Sequence, residues 1–188
     1  MALLAAGTLL LAEACTGPVS GKENKPESKD ELVKKGAYLV GIAGCGDCHS
    51  PKIMTAMGPA PDSTRILSGY RSEVPLPPLH KDALKSGWAL FGMEGTSMVS
   101  PAGISFAANL TPDATGIGDW TLPQFTKALT EGKWKGLDNS RPLLPPMPWQ
   151  NYRNMAPEDI AAIFEYLKSL PPVKNQVPAP VMFEQAAP

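Results

Sequence analysis

The chain is poor in the residues that usually build metal and disulfide sites: 188 residues include three cysteines and two histidines. Three cysteines cannot form a disulfide framework. Two of them, Cys45 and Cys48, belong to one motif, and Cys15 is left over. A structural zinc site takes four protein ligands and a catalytic one three. Beyond Cys45, Cys48 and His49 the remaining histidine is His80, and adjacent Cys48 and His49 would crowd a single tetrahedral ion. An excess of either charge is also missing, with 17 basic against 18 acidic side chains. A nucleic-acid binder needs a basic face to neutralise phosphates, so that class is excluded. The apolar run at the start is short: as a helix, its roughly 14 residues would cover about 21 Å, against ~30 Å of bilayer hydrocarbon.

Residues 1–14 therefore read as the apolar region of an export signal rather than a membrane span. A lysine- and glutamate-rich stretch follows at once. Cys15 stands where the signal ends, and this segment is similar to a bacterial lipoprotein signal, in which such a cysteine bears the lipid. The resemblance implies lipidation of Cys15, a solvated tether over residues 15–27, and a location on the periplasmic side of a bacterial membrane.

What is present in excess is proline, with 21 residues, about twice the usual ~5%. Runs such as "PLPP" at 75–78 and "PLLPPMP" at 142–148 fix φ and remove donors, so they form stiff, non-repetitive connections. A small domain with few helices and long stiff loops needs something besides apolar side chains at its centre.

The stretch "GCGDCHS" at 44–50 supplies the candidate. A thioredoxin-like dithiol needs a βαβ context, whereas here a helical pattern precedes the motif and a proline-broken stretch follows it. C-x-x-C-H is instead an attachment site for haem c. Two intervening residues let one helical turn bring the Cys45 and Cys48 thiols to the two vinyl groups. His49 then projects its imidazole at the iron from the same turn.

The chain resembles class I-type cytochromes c at "GAYLVGIAGCGDCHSPK" and again over residues 106–178. There, "NLTPDATGIGDWTLPQFTKAL" and "GKWKGLDNSRPLLPPMPWQNYRNMAPEDIAAIFEYLKSLPPVKNQVP" are similar to the haem domains of cytochrome c subunits of bacterial membrane-bound alcohol and gluconate dehydrogenases. Such subunits usually carry three haem motifs, and this chain carries one. The resemblance implies one covalent haem c and an all-α cytochrome c-like domain, placed here over residues 28–178 with a tail over 179–188.

A second axial ligand is sought among the methionines and His80. Met54 and Met57 follow the motif too closely, Met93 and Met98 flank glycine-rich sequence, and Met182 lies in the tail. Met147 is held stiffly by prolines at 142, 145, 146 and 148, and the resemblance implies that this position carries the axial methionine. A methionine can also be a core filler. His80, in a loop, is the runner-up.

Three helices are expected. The first covers about Lys29–Ala43, with Ser28 and Glu31 at capping-box spacing and Leu32, Val33, Gly36, Leu39 and Val40 on one face. The second covers Leu122–Glu131, between Thr121 with Gln124 and Gly132. The third covers Pro157–Ser169, with Ile160, Ile163, Phe164, Leu167 and Leu170 as its apolar stripe. The family implies that the first and last cross with a small residue at the contact, for which Gly36 is the candidate. Residues 53–108 are expected to be an insertion of short pieces over one haem edge. Trp120, Trp149 and Tyr152 are open between haem contacts and ordinary core aromatics.

The functional expectation is a single-electron carrier rather than an enzyme. Its redox partners would be a dehydrogenase, a quinol-oxidising complex or a terminal oxidase. The alternative is a peroxidase-like haem enzyme, or a redox or gas sensor, with a displaceable sixth ligand.

Overall fold

Ser28 closes the start of the first helix. Its hydroxyl accepts from the Glu31 backbone N–H at 3.3 Å, and the Glu31 carboxylate accepts from the Ser28 N–H at 2.7 Å, satisfying two donors that a helix start would otherwise leave unpaired. The computed structural model describes residues 27–183; the expected export signal, Cys15 and nearly all of the expected tether lie outside them. In chain order the elements are α1 (Lys29–Ile42), α2 (Cys45–His49), β1 (Lys52–Thr55), β2 (Gly58–Pro61), α3 (Lys81–Lys85), β3 (Leu90–Phe91), β4 (Ser97–Ser100), β5 (Gly103–Phe106), α4 (Leu122–Glu131), α5 (Pro157–Ser169) and β6 (Val181–Met182). Single 3₁₀ turns cover Trp134–Gly136 and Trp149–Tyr152.

The three longer helices occupy the expected segments. Thr121 and Gln124 close a second capping box, and Gly132 ends α4 in the left-handed conformation at φ 66°. Helix α1 turns Gly36 and Val40 inward. Helix α5 buries Ile160, Ala162, Ile163, Phe164 and Leu167. The two helices meet at Gly36, where an added Cβ would lie 2.6 Å from the Ala162 carbonyl carbon and 2.7 Å from Tyr166 Cβ. Only glycine lets the backbones approach this closely. The main core gathers Val40, Leu67, Ile117, Phe125, Ile160, Ile163, Phe164 and Leu167, with Cys45 packed against its edge.

The all-α expectation is overturned. Besides five α-helices the described residues form two antiparallel sheets, one of β1–β2 and one in the order β3-β4-β5-β6. These strands are two to four residues long, too short for period-two alternation to stand out in sequence. In β4 the alternation exists but spans four residues, with Ser97 and Val99 buried and Met98 and Ser100 half-buried. Leu84 of α3 packs with Val99 and Ile104 in a second small core. Residues 53–108 thus have their own apolar centre rather than forming an open loop. Val181 and Met182, in the expected tail, pair with Ile104 and Gly103 as an edge strand.

Candidate haem-attachment site

Helix α1 ends at Ala43, and Gly44, at φ 65°, turns the chain into α2. A side chain in that left-handed conformation would be strained, so glycine is what permits the sharp entry into the CGDCH turn. Cys45 and Cys48, three apart on one helical turn, share a face. Both are half-buried and neither is in a disulfide. Burial is the main reason the Cys45 thiol is pushed up from its ordinary value, with the Asp47 carboxylate and Cys48 adding to it and a backbone hydrogen bond opposing.

His49 follows on the same turn. Its Nδ1 lies 2.8 Å from the Ala108 carbonyl oxygen. A carbonyl only accepts, so Nδ1 carries the proton and donates, and Nε2 keeps its lone pair. Burial lowers the imidazole pKa. The Ala108 bond opposes this, and the Lys52 cation lowers it further. The shift favours the neutral ring, and with Nδ1 committed to Ala108 the Nε2 lone pair is left for a metal. Hydrogen bonding of the other ring nitrogen is how proteins orient a ligating histidine.

The segments that frame this turn are tied to each other. The Gly69 N–H donates to the His49 carbonyl at 2.7 Å, and the Leu67 N–H to the buried Ser50 hydroxyl at 3.0 Å. Tyr70 N–H donates to Ala107 O at 3.0 Å, and Leu110 N–H to Leu67 O at 2.9 Å. Asn175, 3% exposed, locks the arrangement from the C-terminal side by donating to Ser68 O at 2.7 Å and Tyr70 O at 2.8 Å. Asn109 caps its own turn through Thr111 and also donates to Val173 O at 2.8 Å. At the far end of α2, the Lys52 ammonium donates to the Asp47 and Gly46 carbonyls, the site at which a cation offsets the helix dipole.

Exposure separates the candidate sixth ligands. Met54, Met57, Met93 and Met182 are 67%, 97%, 79% and 61% exposed, so their thioethers face solvent. His80 is exposed at the start of α3 and makes no capping bond. Met155 packs against the main core. Met98 and Met147 are the half-buried remainder. The Met147 loop is braced on both sides to the frame of His49. Before it, the Ser105 hydroxyl donates to Pro145 O at 2.6 Å; after it, the Tyr152 hydroxyl donates to Ala43 O at 3.1 Å, beside the Cys45 turn. Tyr152 titrates above the ordinary tyrosine value, because of burial first and then the Cys45 and Cys48 thiols. Its phenol donates its hydrogen bond to the Ala43 backbone carbonyl. Trp149 packs on Gly132 and lies under the Arg153 guanidinium, 5.4 Å from the ring centre. Trp120 packs on the main core.

Sequence reasoning missed Ala108, Ser105 and Asn175. A backbone carbonyl that orients a histidine from 59 residues away leaves no residue-type signature. The donor set fits haem c: two thiols on one turn and a neutral imidazole with its second nitrogen committed. Among the described residues no three His, Cys, Asp or Glu side chains gather as a metal-binding group.

The sequence model of the cytochrome c family matches residues 33–171. The gluconate 2-dehydrogenase cytochrome c subunit of Pantoea cypripedii is 30% identical over 141 residues, which is 74% of this chain and 23% of that protein. The fructose dehydrogenase cytochrome subunit of Gluconobacter japonicus is 28% identical over 185 residues, 95% of this chain and 29% of that protein. The cytochrome c subunit of the quinone-dependent alcohol dehydrogenase of Gluconacetobacter polyoxogenes is 28% identical over 142 residues, 75% of this chain and 22% of that protein. The chain spans less than a third of the length of these curated relatives. The family model covers well over half of the chain and includes the CGDCH turn, so the chain belongs to the cytochrome c family.

Proposed function

We propose that the chain is a mono-haem c-type cytochrome that carries single electrons on the periplasmic side of a bacterial membrane. Cys45 and Cys48 would hold the haem covalently, with His49 and Met147 as the axial ligands. When bound, the haem supplies a one-electron iron couple. The residues around it orient the imidazole and favour its neutral form.

The observation that carries this reading is the His49–Ala108 hydrogen bond, which leaves the Nε2 lone pair as a fixed ligating group on the same turn as both thiols. The bracing of Met147 by Pro145 and Tyr152 supports the second ligand. With His49 and Met147 both on the iron, no site would remain there for a substrate, and the chain would act as an electron-transfer protein. Thioether ligation would stabilise the ferrous form and raise the potential. The relatives are named as cytochrome subunits of dehydrogenases, and a dehydrogenase is accordingly the proposed electron donor. A terminal oxidase or another cytochrome would accept the electron, and a quinol-oxidising complex is the alternative donor. Lipidation of Cys15 would anchor the domain to the membrane. Among the described residues no helix is long and apolar enough to cross one.

The test is the intact mass and redox titration of protein matured with a haem c assembly system. One haem added to the chain, and a single one-electron wave, are expected. Cys45→Ala with Cys48→Ala should abolish covalent attachment. A protein that gains no haem mass, or that takes up haem equally in this double variant, would refute the proposal.

A further inference from the structure

We infer that Ser105 is a positioning residue for the sixth ligand: its hydroxyl pins the proline-rich loop that carries Met147, so the inserted sheet sets how readily the thioether leaves the iron. The inference rests on the reading of Met147 as the axial ligand.

Ser105 lies in β5, directly opposite Met98 of β4. Paired residues project to the same face of a sheet, and on this face the Ser105 Oγ donates to the Pro145 carbonyl at 2.6 Å. Pro145 precedes Met147 by two residues. Proline occupies positions 142, 145, 146 and 148, so the loop has few N–H groups with which to fasten itself. Leu143 N–H reaches back to Gly132 O, and Met147 N–H stays within the loop on Leu144 O. Among the described residues, the Pro145 carbonyl is the one hydrogen-bonded tether from residues 144–151 to a separate element. A few residues further along the same run, Ala107 and Ala108 offer the carbonyls that receive the Tyr70 N–H and the His49 Nδ1–H. Residues 105–108 therefore hold both axial candidates, His49 through a backbone carbonyl and the Met147 loop through a side-chain hydroxyl.

If Met147 ligates the iron, its departure would be resisted by this loop, whose φ angles are fixed by proline at four positions. Losing one neutral hydrogen bond that holds the closed form raises the open population about fivefold (~1 kcal/mol). An added ligand that binds the open form then gains apparent affinity in the same proportion.

The test uses imidazole binding to the ferric holoprotein, with Ser105→Val and Ser105→Thr as an isosteric pair that suits a strand and differs only in the hydroxyl. Met147→Ala is the control. Expected is an imidazole affinity about fivefold higher in Ser105→Val, with Ser105→Thr within twofold of the starting protein and Met147→Ala tighter than either. Val and Thr variants with equal affinity, beside a tight Met147→Ala, would overturn the role of Ser105 alone. A Met147→Ala affinity equal to the starting protein would overturn the axial reading, and the inference with it.

Discussion

Gly36→Ala should unseat the contact between the first and last helices. In an exposed helix interior the change would be favourable by about 1 kcal/mol, because alanine is the better helix former. Here the new methyl would meet the Ala162 carbonyl carbon at 2.6 Å and Tyr166 Cβ at 2.7 Å, and the Ala162 oxygen closer still. Two of these atoms are backbone, so no side-chain rotation relieves the clash. The helices must separate, which loosens Ile160, Ile163, Phe164 and Leu167, all buried on α5. Overpacking costs about 1–3 kcal/mol, and a rigid backbone neighbour places this site at the upper end. After subtracting the propensity gain, the net loss is about 2 kcal/mol. For a domain of this size that is a fall in Tm of about 4–8 °C. Thermal unfolding of the holoprotein, followed by far-UV circular dichroism, reads it directly. A Gly36→Ala protein that melts at or above the starting temperature would show that the helices do not meet at this glycine.

Asn175→Ala should cost about 2–4 kcal/mol, because it strands the buried Ser68 and Tyr70 carbonyls; urea unfolding gives the magnitude, and faster exchange of the Gly69 amide would place the loosening beside His49. Ser28→Ala removes the α1 cap and should lower stability by about 1 kcal/mol in the same assay, without altering the haem spectrum. Asp113 accepts from the Thr115 N–H and hydroxyl, which holds its carboxyl below the ordinary value. Its contribution is present above the unfolded-state pKa and disappears as pH falls through the lower folded value, so Asp113→Asn should slightly lower stability at neutral pH, leave it nearly unchanged in strong acid, and so flatten the acid limb of the stability profile.

The helices were legible because each carries its own punctuation. Ser28 with Glu31, Thr121 with Gln124, and Pro157 before an apolar stripe are local signals, and the structure places α1, α4 and α5 where they point. Gly36 was legible as a contact only through the family resemblance, because a glycine within a helical pattern does not name what lies against it. The sheets were not legible: strands of two to four residues, one of them "GPAP", are too short for alternation to stand out, and their partners are fixed by tertiary pairing. At the candidate site the motif names the side chains, whereas the groups that hydrogen-bond to them carry no residue-type signal. Ala108 acts through a backbone carbonyl, and Ser105 and Asn175 act across 40 residues or more.

Ligation of the iron by His49 and Met147 would be read from the long-wavelength absorption of the ferric holoprotein beside that of Met147→Ala. A low-spin haem with the weak methionine-to-iron charge-transfer band is expected, with loss of that band in the variant. A high-spin spectrum in the starting protein, or a band that survives Met147→Ala, would contradict this ligation.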